Sequence, residues 1–203
     1  MNMSRFDGVD WRSIIKKYQP DAWRSIWQIV NTVVPYIALW AIMFWSVGVS
    51  YWLTLLLSIP TAGFMVRTFI IFHDCGHGSF FKSKHANLIV GIITGILTYT
   101  PWQLWWHEHN VHHANAGNLD KRGIGDVDTW TVEEYLAAPF WKKVWYRIMR
   151  HPLVMFTIGA MTVFAIVKRI PLPSHGKKER ASIWWTNLAL LLIVSGLIWL
   201  VGW

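Results

Sequence analysis

Two long apolar runs separated by only three residues constrain this chain more than any other feature. From Trp27 to Val47 there are 21 residues without a formal charge. As a helix they extend about 31 Å at 1.5 Å per residue, which matches the hydrocarbon core of a bilayer. Gly48, Val49 and Ser50 follow, and Tyr51 to Phe72 is then long enough to cross back. A backbone surrounded by hydrocarbon must satisfy its own N–H and C=O groups, so such runs are helical. Trp45 and Trp52 mark the outer end of the hairpin, where the amphipathic indole is favoured. A third span is expected over 183–203, with Trp184 and Trp185 at one interface and Trp199 and Trp203 at the other. The expected fold is an all-α integral membrane protein: a transmembrane helical hairpin, re-entrant or interfacial helices, and a third transmembrane helix. Composition agrees, with 54% apolar residues, only 15% charged and sixteen tryptophans.

Charge gives orientation. The segment 1–26 carries Arg5, Arg12, Lys16, Lys17 and Arg24 among Asp7, Asp10, Asp21, Trp11, Tyr18 and Trp23, and reads as an interfacial lead-in. The hairpin loop has no Lys or Arg, whereas Lys82 and Lys84 follow the second run, so the positive-inside rule puts the N-terminus and both hairpin ends in the cytoplasm. The net charge of +8 sits in short runs between apolar stretches, which argues against nucleic acid. No apolar core with a cleavage site marks a removable signal peptide. No linker divides the chain, so residues 1–203 are expected as a single membrane domain. The sole cysteine, Cys75, excludes an intrachain disulfide.

Seven of the nine histidines fall between His73 and His113. In His73-Asp74-Cys75-Gly76-His77 the four-residue offset puts both imidazoles on one helix face, and in His109-Asn110-Val111-His112-His113 the three- and four-residue offsets do the same for three rings. Imidazole suits Zn, Cu, Fe and Ni alike, so the five rings point to a metal without naming it. Asp74 is placed to hold a ring in its metal-binding tautomer. Arg67, in the last turns of its run, is costly against lipid and is expected to pair inward, with Asp74 two turns away as a candidate reached through other polar groups. Glu108 faces away from the His109/His112/His113 side and is expected to be solvated, as are Asp120, Asp126 and Asp128.

The uncharged run Ala86 to Leu104 limits topology. A straight crossing separates its ends by about 28 Å and sends the two clusters to opposite compartments. Gly91, Gly95, Pro101 and the threonines point to an interrupted or re-entrant segment instead. Between Val132 and Arg150, Leu136, Phe140, Val144 and Ile148 recur every four residues against Lys142, Lys143, Arg147 and Arg150, the pattern of a basic amphipathic helix on a membrane surface. Pro152 to Val167 is apolar but only sixteen residues, flanked by positive charge at both ends, and is expected to be re-entrant or interfacial. Lys168 to Arg180 reads as a basic linker.

The strings HDCGHGSFF, HNVHHANAGNLD and GDVDTWTVEEY, in that order after a membrane hairpin, resemble the membrane-bound fatty acid desaturases, in particular the bacterial acyl-lipid type, over about residues 40–180. The resemblance implies histidine boxes on the cytoplasmic face of a bacterial inner membrane that bind two irons. It also implies O2 as co-substrate, a membrane lipid or other fatty acyl substrate, and an external electron donor such as ferredoxin or cytochrome b5. His73 and His77 match the first box, and His109, His112 and His113 the second; His107 matches no box position. The family's third box has no counterpart, since His85, His151 and His175 are isolated, so the chain is expected to be truncated before it and not competent alone. Two alternatives share these histidines: a related membrane diiron hydroxylase, and a non-catalytic metal- or haem-binding membrane remnant.

Overall fold

The computed structural model describes residues 10, 13, 14, 18–123, 125 and 127–201. Arg5, Asp7, Trp11, Arg12, Lys16 and Lys17 of the lead-in, Asp126 of the loop and Trp203 of the last span lie outside them. All regular structure among the described residues is helical. The chain forms two units, Met1–Thr94 and Gly95–Trp203. No linker announces that boundary because it falls inside a helix.

In the first unit, α1 (Ala22–Val47) and α2 (Tyr51–Gly76) form the expected hairpin. Helix α1 begins five residues before the uncharged run because Asp21 caps it, its carboxylate accepting the Arg24 N–H at 2.9 Å. What the two helices bury is mostly small or hydroxylated, Ser25, Thr32, Tyr36, Ser46, Thr61 and Thr68, with Ile71, Phe72 and Cys75 added at the end of α2. Large apolar side chains such as Trp45, Trp52, Leu56 and Ile59 point outward. This inversion suits a lipid environment, where close backbone approach and interhelical hydrogen bonds drive association. Ser46 and Thr54 hydroxyls meet at 2.8 Å near the turn. Towards the other end, Arg67 donates to Asn31 Oδ1 at 2.9 Å. Arg67 therefore pairs across the hairpin, with Asn31 of α1 as its partner and not Asp74, while its side chain stays exposed. Helix α3 (Lys84–Leu97) follows.

In the second unit, α4 (Trp102–Asn115) leads through a 3-10 turn (Leu119–Lys121) to α5 (Val132–Ala137) and α6 (Phe140–Arg150). Next comes a helical stretch made of α7 (Pro152–Val154), a π turn (Met155–Gly159), α8 (Ala160–Ala165) and a 3-10 turn (Val167–Arg169). Helix α9 (Lys177–Val201) closes the unit and packs on α4 around buried Trp102, Leu104, Ile183 and Thr186.

The run 86–104 is interrupted: the helix stops at Leu97, the Thr100 N–H turns back to the Gly95 carbonyl at 2.7 Å, Tyr99 adopts φ 57°, and helix resumes at Trp102. The segment after His151, expected to be re-entrant or interfacial, is helical and longer than the apolar run. It runs 18 residues, Pro152–Arg169, because the turn carrying Lys168 and Arg169 continues it. Helix α9 likewise starts at Lys177, which shortens the basic linker; Glu179 caps it by accepting the Gly176 N–H at 2.7 Å. Among the described residues four helical stretches are thus long and apolar enough to cross a membrane, and the broken pair α3 and α4 makes up to five.

Helix α6 has the expected two-sided pattern. Phe140, Trp141, Trp145 and Ile148 are exposed along one side. On the other, Lys143 donates to the Leu136 carbonyl at 2.8 Å, and Arg147 lies 5.6 Å from the Tyr135 ring centroid.

Candidate metal centre

The first histidine pair sits on the last turn of α2, and the sequence around it explains why the helix ends there. The Ser79 N–H returns to the Asp74 carbonyl and the Gly78 N–H to the Cys75 carbonyl, both at 3.0 Å, with Gly78 at φ 67°. This is a Schellman termination, which needs a left-handed residue where glycine pays no steric penalty. The loop it releases is tied at two points. The buried Asn87 carboxamide accepts the Phe81 N–H at 2.9 Å and donates to the Phe81 carbonyl at 2.7 Å. Ser25 of α1 donates to the Phe80 carbonyl at 2.6 Å. Neither Asn87 nor Ser25 stands out in the sequence, because both act on backbone atoms of a loop, six residues away for Asn87 and 55 for Ser25.

Within this frame the Nε2 atoms of His73 and His77 lie 3.3 Å apart, with ring planes at 70°. Asp74 Oδ1 lies 3.1 Å from His73 Nδ1. A carboxylate that accepts from Nδ1 selects the tautomer in which Nε2 presents its lone pair.

The second unit repeats the arrangement on α4. His109 and His113 bring their Nε2 atoms to 3.1 Å, with ring planes at 86°. Two nitrogens about 2.1 Å from one ion and 90–109° apart are separated by about 3.0–3.4 Å. Each pair has that bite. His112 stands beside the second pair, its ring centroid 6.2 Å from that of His109 and 5.5 Å from that of His113. Trp105, one turn earlier, stacks on His109 at 4.2 Å and 18° and so fixes the plane of that ring. Its i,i+4 spacing from His109 is the signal that identifies it.

Glu108 and His107 of α4 are engaged as well. Glu108 is not solvated: it pairs with Lys168, and the two side chains are only 21% and 18% exposed. Sixty residues separate them, so the local pattern around Glu108 holds no trace of the contact. His107 Nδ1 lies 3.8 Å from Glu179. A cavity of about 700 Å³ opens beside His109, with Leu104, Phe164, Val167, Lys168 and Glu179 among its walls. The isolated histidines serve local turns: His151 Nδ1 accepts the Leu153 N–H at 3.3 Å, and His175 Nδ1 the Leu172 N–H at 3.2 Å.

The loop beyond α4 packs closely on it. Gly125 has φ 73°, and a Cβ there lies 3.0 Å from the Glu108 carbonyl oxygen and 3.3 Å from His112 Cβ. Farther on, Arg122 forms an ion pair with Glu134, which also closes the capping box with Thr131 at the start of α5. The guanidinium and the Thr131 backbone N–H hold the Glu134 carboxyl down at about 2, and the same pairing raises Arg122.

The donor set fits a first-row metal such as iron, zinc, copper or nickel: imidazoles at chelating separation, with a carboxylate beside one of them. The family model for fatty acid desaturases matches residues 50–203. A fatty acid desaturase of Bacillus subtilis is 45% identical over 185 residues, covering 91% of this chain and 53% of its own. An sn-1 oleoyl-lipid 12-desaturase of Synechocystis sp. is 29% identical over 144 residues, covering 70% of this chain and 38% of its own. An sn-1 acyl-lipid omega-3 desaturase (ferredoxin) of the same organism is 36% identical over 93 residues, covering 44% and 24%. No solved structure matches. The chain spans about half the length of the Bacillus relative and less of the others. With the family model matched over most of its length, the chain belongs to the fatty acid desaturase family.

Proposed function

We propose that this chain carries iron ligands of an O2-dependent desaturase that introduces a C=C bond into the acyl chains of membrane lipids. The observation that carries the reading is that each of two helices in a chain of this family holds two imidazole Nε2 atoms at a chelating bite, 3.3 Å for His73/His77 and 3.1 Å for His109/His113. His112 completes the proposed ligand set. When bound, the two irons supply the activation of O2 and the removal of hydrogen from the acyl chain.

The chain's own residues prepare for that chemistry. Asp74 keeps the proton on His73 Nδ1 and so leaves Nε2 as the ligand atom. Trp105 holds the plane of the His109 ring. The cavity beside His109, walled by Leu104, Phe164 and Val167, offers an apolar surface to an alkyl segment. An acyl-lipid substrate and a ferredoxin-type electron carrier follow the printed names of the cyanobacterial relatives. Lys and Arg before and after the hairpin, against none in its loop, support a cytoplasmic N-terminus and cytoplasmic boxes, and the bacterial relatives support an inner membrane.

The test is lipid analysis after expression from the chain's own gene in a host with saturated acyl chains, together with a ferredoxin and its reductase. The expected result is new double bonds in air, none without O2, and none in His109→Ala. Hydroxylated chains in place of alkenes, or unsaturation that survives His109→Ala, overturn the reading.

A further inference from the structure

The helix that carries the second histidine pair is held by contacts that the proposed function does not use. Pro101 at its N-cap offers no side-chain acceptor, so the Gln103 N–H is met from α9 instead, by Ser182 Oγ at 3.1 Å. Just ahead of it, the Tyr99 carbonyl accepts from the Arg169 guanidinium. Tyr99 is the one described non-glycine residue with positive φ, so Arg169 secures the most strained point of the break between α3 and α4. Arg169 is itself fixed from α9, donating to Asn187 Oδ1 at 3.3 Å while Asn187 Nδ2 donates to the Arg169 carbonyl at 2.9 Å. Further along α4, Glu108 pairs with Lys168. Glu108 lies about 9 Å along the axis from the helix start, at 1.5 Å per residue.

A rod held at one point can still swing about it. Held near its start and again at Glu108, α4 is fixed in tilt and in rotation about its axis. A metal site needs its donors placed to about 0.5 Å, and a small rotation at the helix axis is magnified at the tip of an imidazole. Both anchors come from adjacent residues of one 3-10 turn, Val167–Arg169, and the shielding of the Glu108–Lys168 pair keeps it from being screened away.

We propose that Lys168 and Arg169 are positioning residues for the second histidine pair: Lys168 through Glu108 and Arg169 through the Tyr99 carbonyl set α4 so that His109 and His113 keep their chelating separation. This rests on the reading that His109 and His113 bind metal. The test uses the whole chain carrying His73→Ala and His77→Ala, so that Co(II), followed by its visible d–d absorption, reports on α4 alone. Lys168→Gln and Glu108→Gln are each expected to weaken Co(II) binding about ten-fold and to alter the shape of the d–d band. The double variant should lose no more than either single one, and Lys168→Arg should recover most of the loss. Arg169→Gln, which removes the other anchor, should add a further loss of about ten-fold to that of Lys168→Gln.

Circular dichroism checks that helicity is retained. If Lys168→Gln does not fold, the nearly isosteric Glu108→Gln decides. Unchanged affinity and spectrum in Glu108→Gln and Lys168→Gln, or failure of Lys168→Arg to restore either, overturns the positioning role while the metal reading stands. Absence of Co(II) binding in the parent overturns the metal reading, and the positioning role with it.

Discussion

Gly78 and Gly125 have nearly the same positive φ, 67° and 73°, but different surroundings, and that contrast yields a quantitative prediction. No atom lies within 4 Å of a Cβ built on Gly78, whereas one built on Gly125 meets the Glu108 carbonyl oxygen at 3.0 Å. In Gly78→Ala the cost is conformational, about 1–2 kcal/mol for a left-handed L-residue, partly offset by a less flexible unfolded chain. A net of about 1 kcal/mol corresponds to roughly five-fold faster local opening. Gly125→Ala carries the same conformational cost plus overpacking of about 1–3 kcal/mol, because a helix carbonyl cannot swing aside as a side-chain tip can. The total is about 2–4 kcal/mol, and it acts on the turn that holds His109 and His112. Hydrogen exchange by mass spectrometry separates the two: Gly78→Ala should speed exchange near residues 73–79 and spare α4, while Gly125→Ala should speed exchange over 105–113 by well over ten-fold. Asparagine tolerates the left-handed region, so Gly78→Asn should recover part of the loss and Gly125→Asn none. Equal effects of the two alanines, or recovery by Gly125→Asn, would show that the loop does not press on α4.

Asn87→Ala strands the N–H and the carbonyl of Phe81, and should lower stability by about 2–4 kcal/mol in a thermal melt; Asn87→Asp keeps the acceptor but loses the donor and should fall between. In a chain with His109 and His113 replaced by alanine, Asp74→Ala should weaken Co(II) binding at His73/His77 about ten-fold, and Asp74→Asn less, because its amide oxygen still accepts from Nδ1. The Glu134 carboxyl is held at about 2, below its ordinary value of 4.5. The stabilisation it gives the start of α5 is therefore fully present above about pH 4.5 and is lost as pH falls towards 2. Limited proteolysis with pepsin, normalised at each pH to cleavage of an unstructured control peptide, should show cleavage over 127–139 rising through that window, and in Glu134→Gln the normalised pH dependence should vanish.

The hairpin and the two histidine pairs were legible because each is a local property: run length sets the spans, and an i,i+4 offset sets which rings meet. Asp74 beside His73 and Trp105 one turn before His109 are equally local. Element ends were harder, since Asp21 and Glu179 cap α1 and α9 and carry them into charged sequence that run length alone excludes. Contacts between distant residues left no periodic mark. The Arg67–Asn31 bond spans 36 residues and the Glu108–Lys168 pair 60. In sequence Arg67 reads as pairing inward towards Asp74 and Lys168 as part of a basic linker, and only the neighbouring helix shows what each holds. The 18-residue stretch Pro152–Arg169 was underestimated for a related reason: charge at its end suggested a boundary, while the helical turn runs through it.

The central claim, that the two helix-borne pairs bind iron through imidazole, is tested most directly by iron K-edge X-ray absorption on the purified chain loaded with Fe(II) under anaerobic conditions. The account predicts a nitrogen shell at about 2.1 Å with the multiple-scattering pattern of imidazole, diminished when either His73/His77 or His109/His113 is replaced by alanine and abolished when all four are. A shell of oxygen alone, a sulfur shell from Cys75, or iron retained unchanged in the four-alanine variant would contradict it.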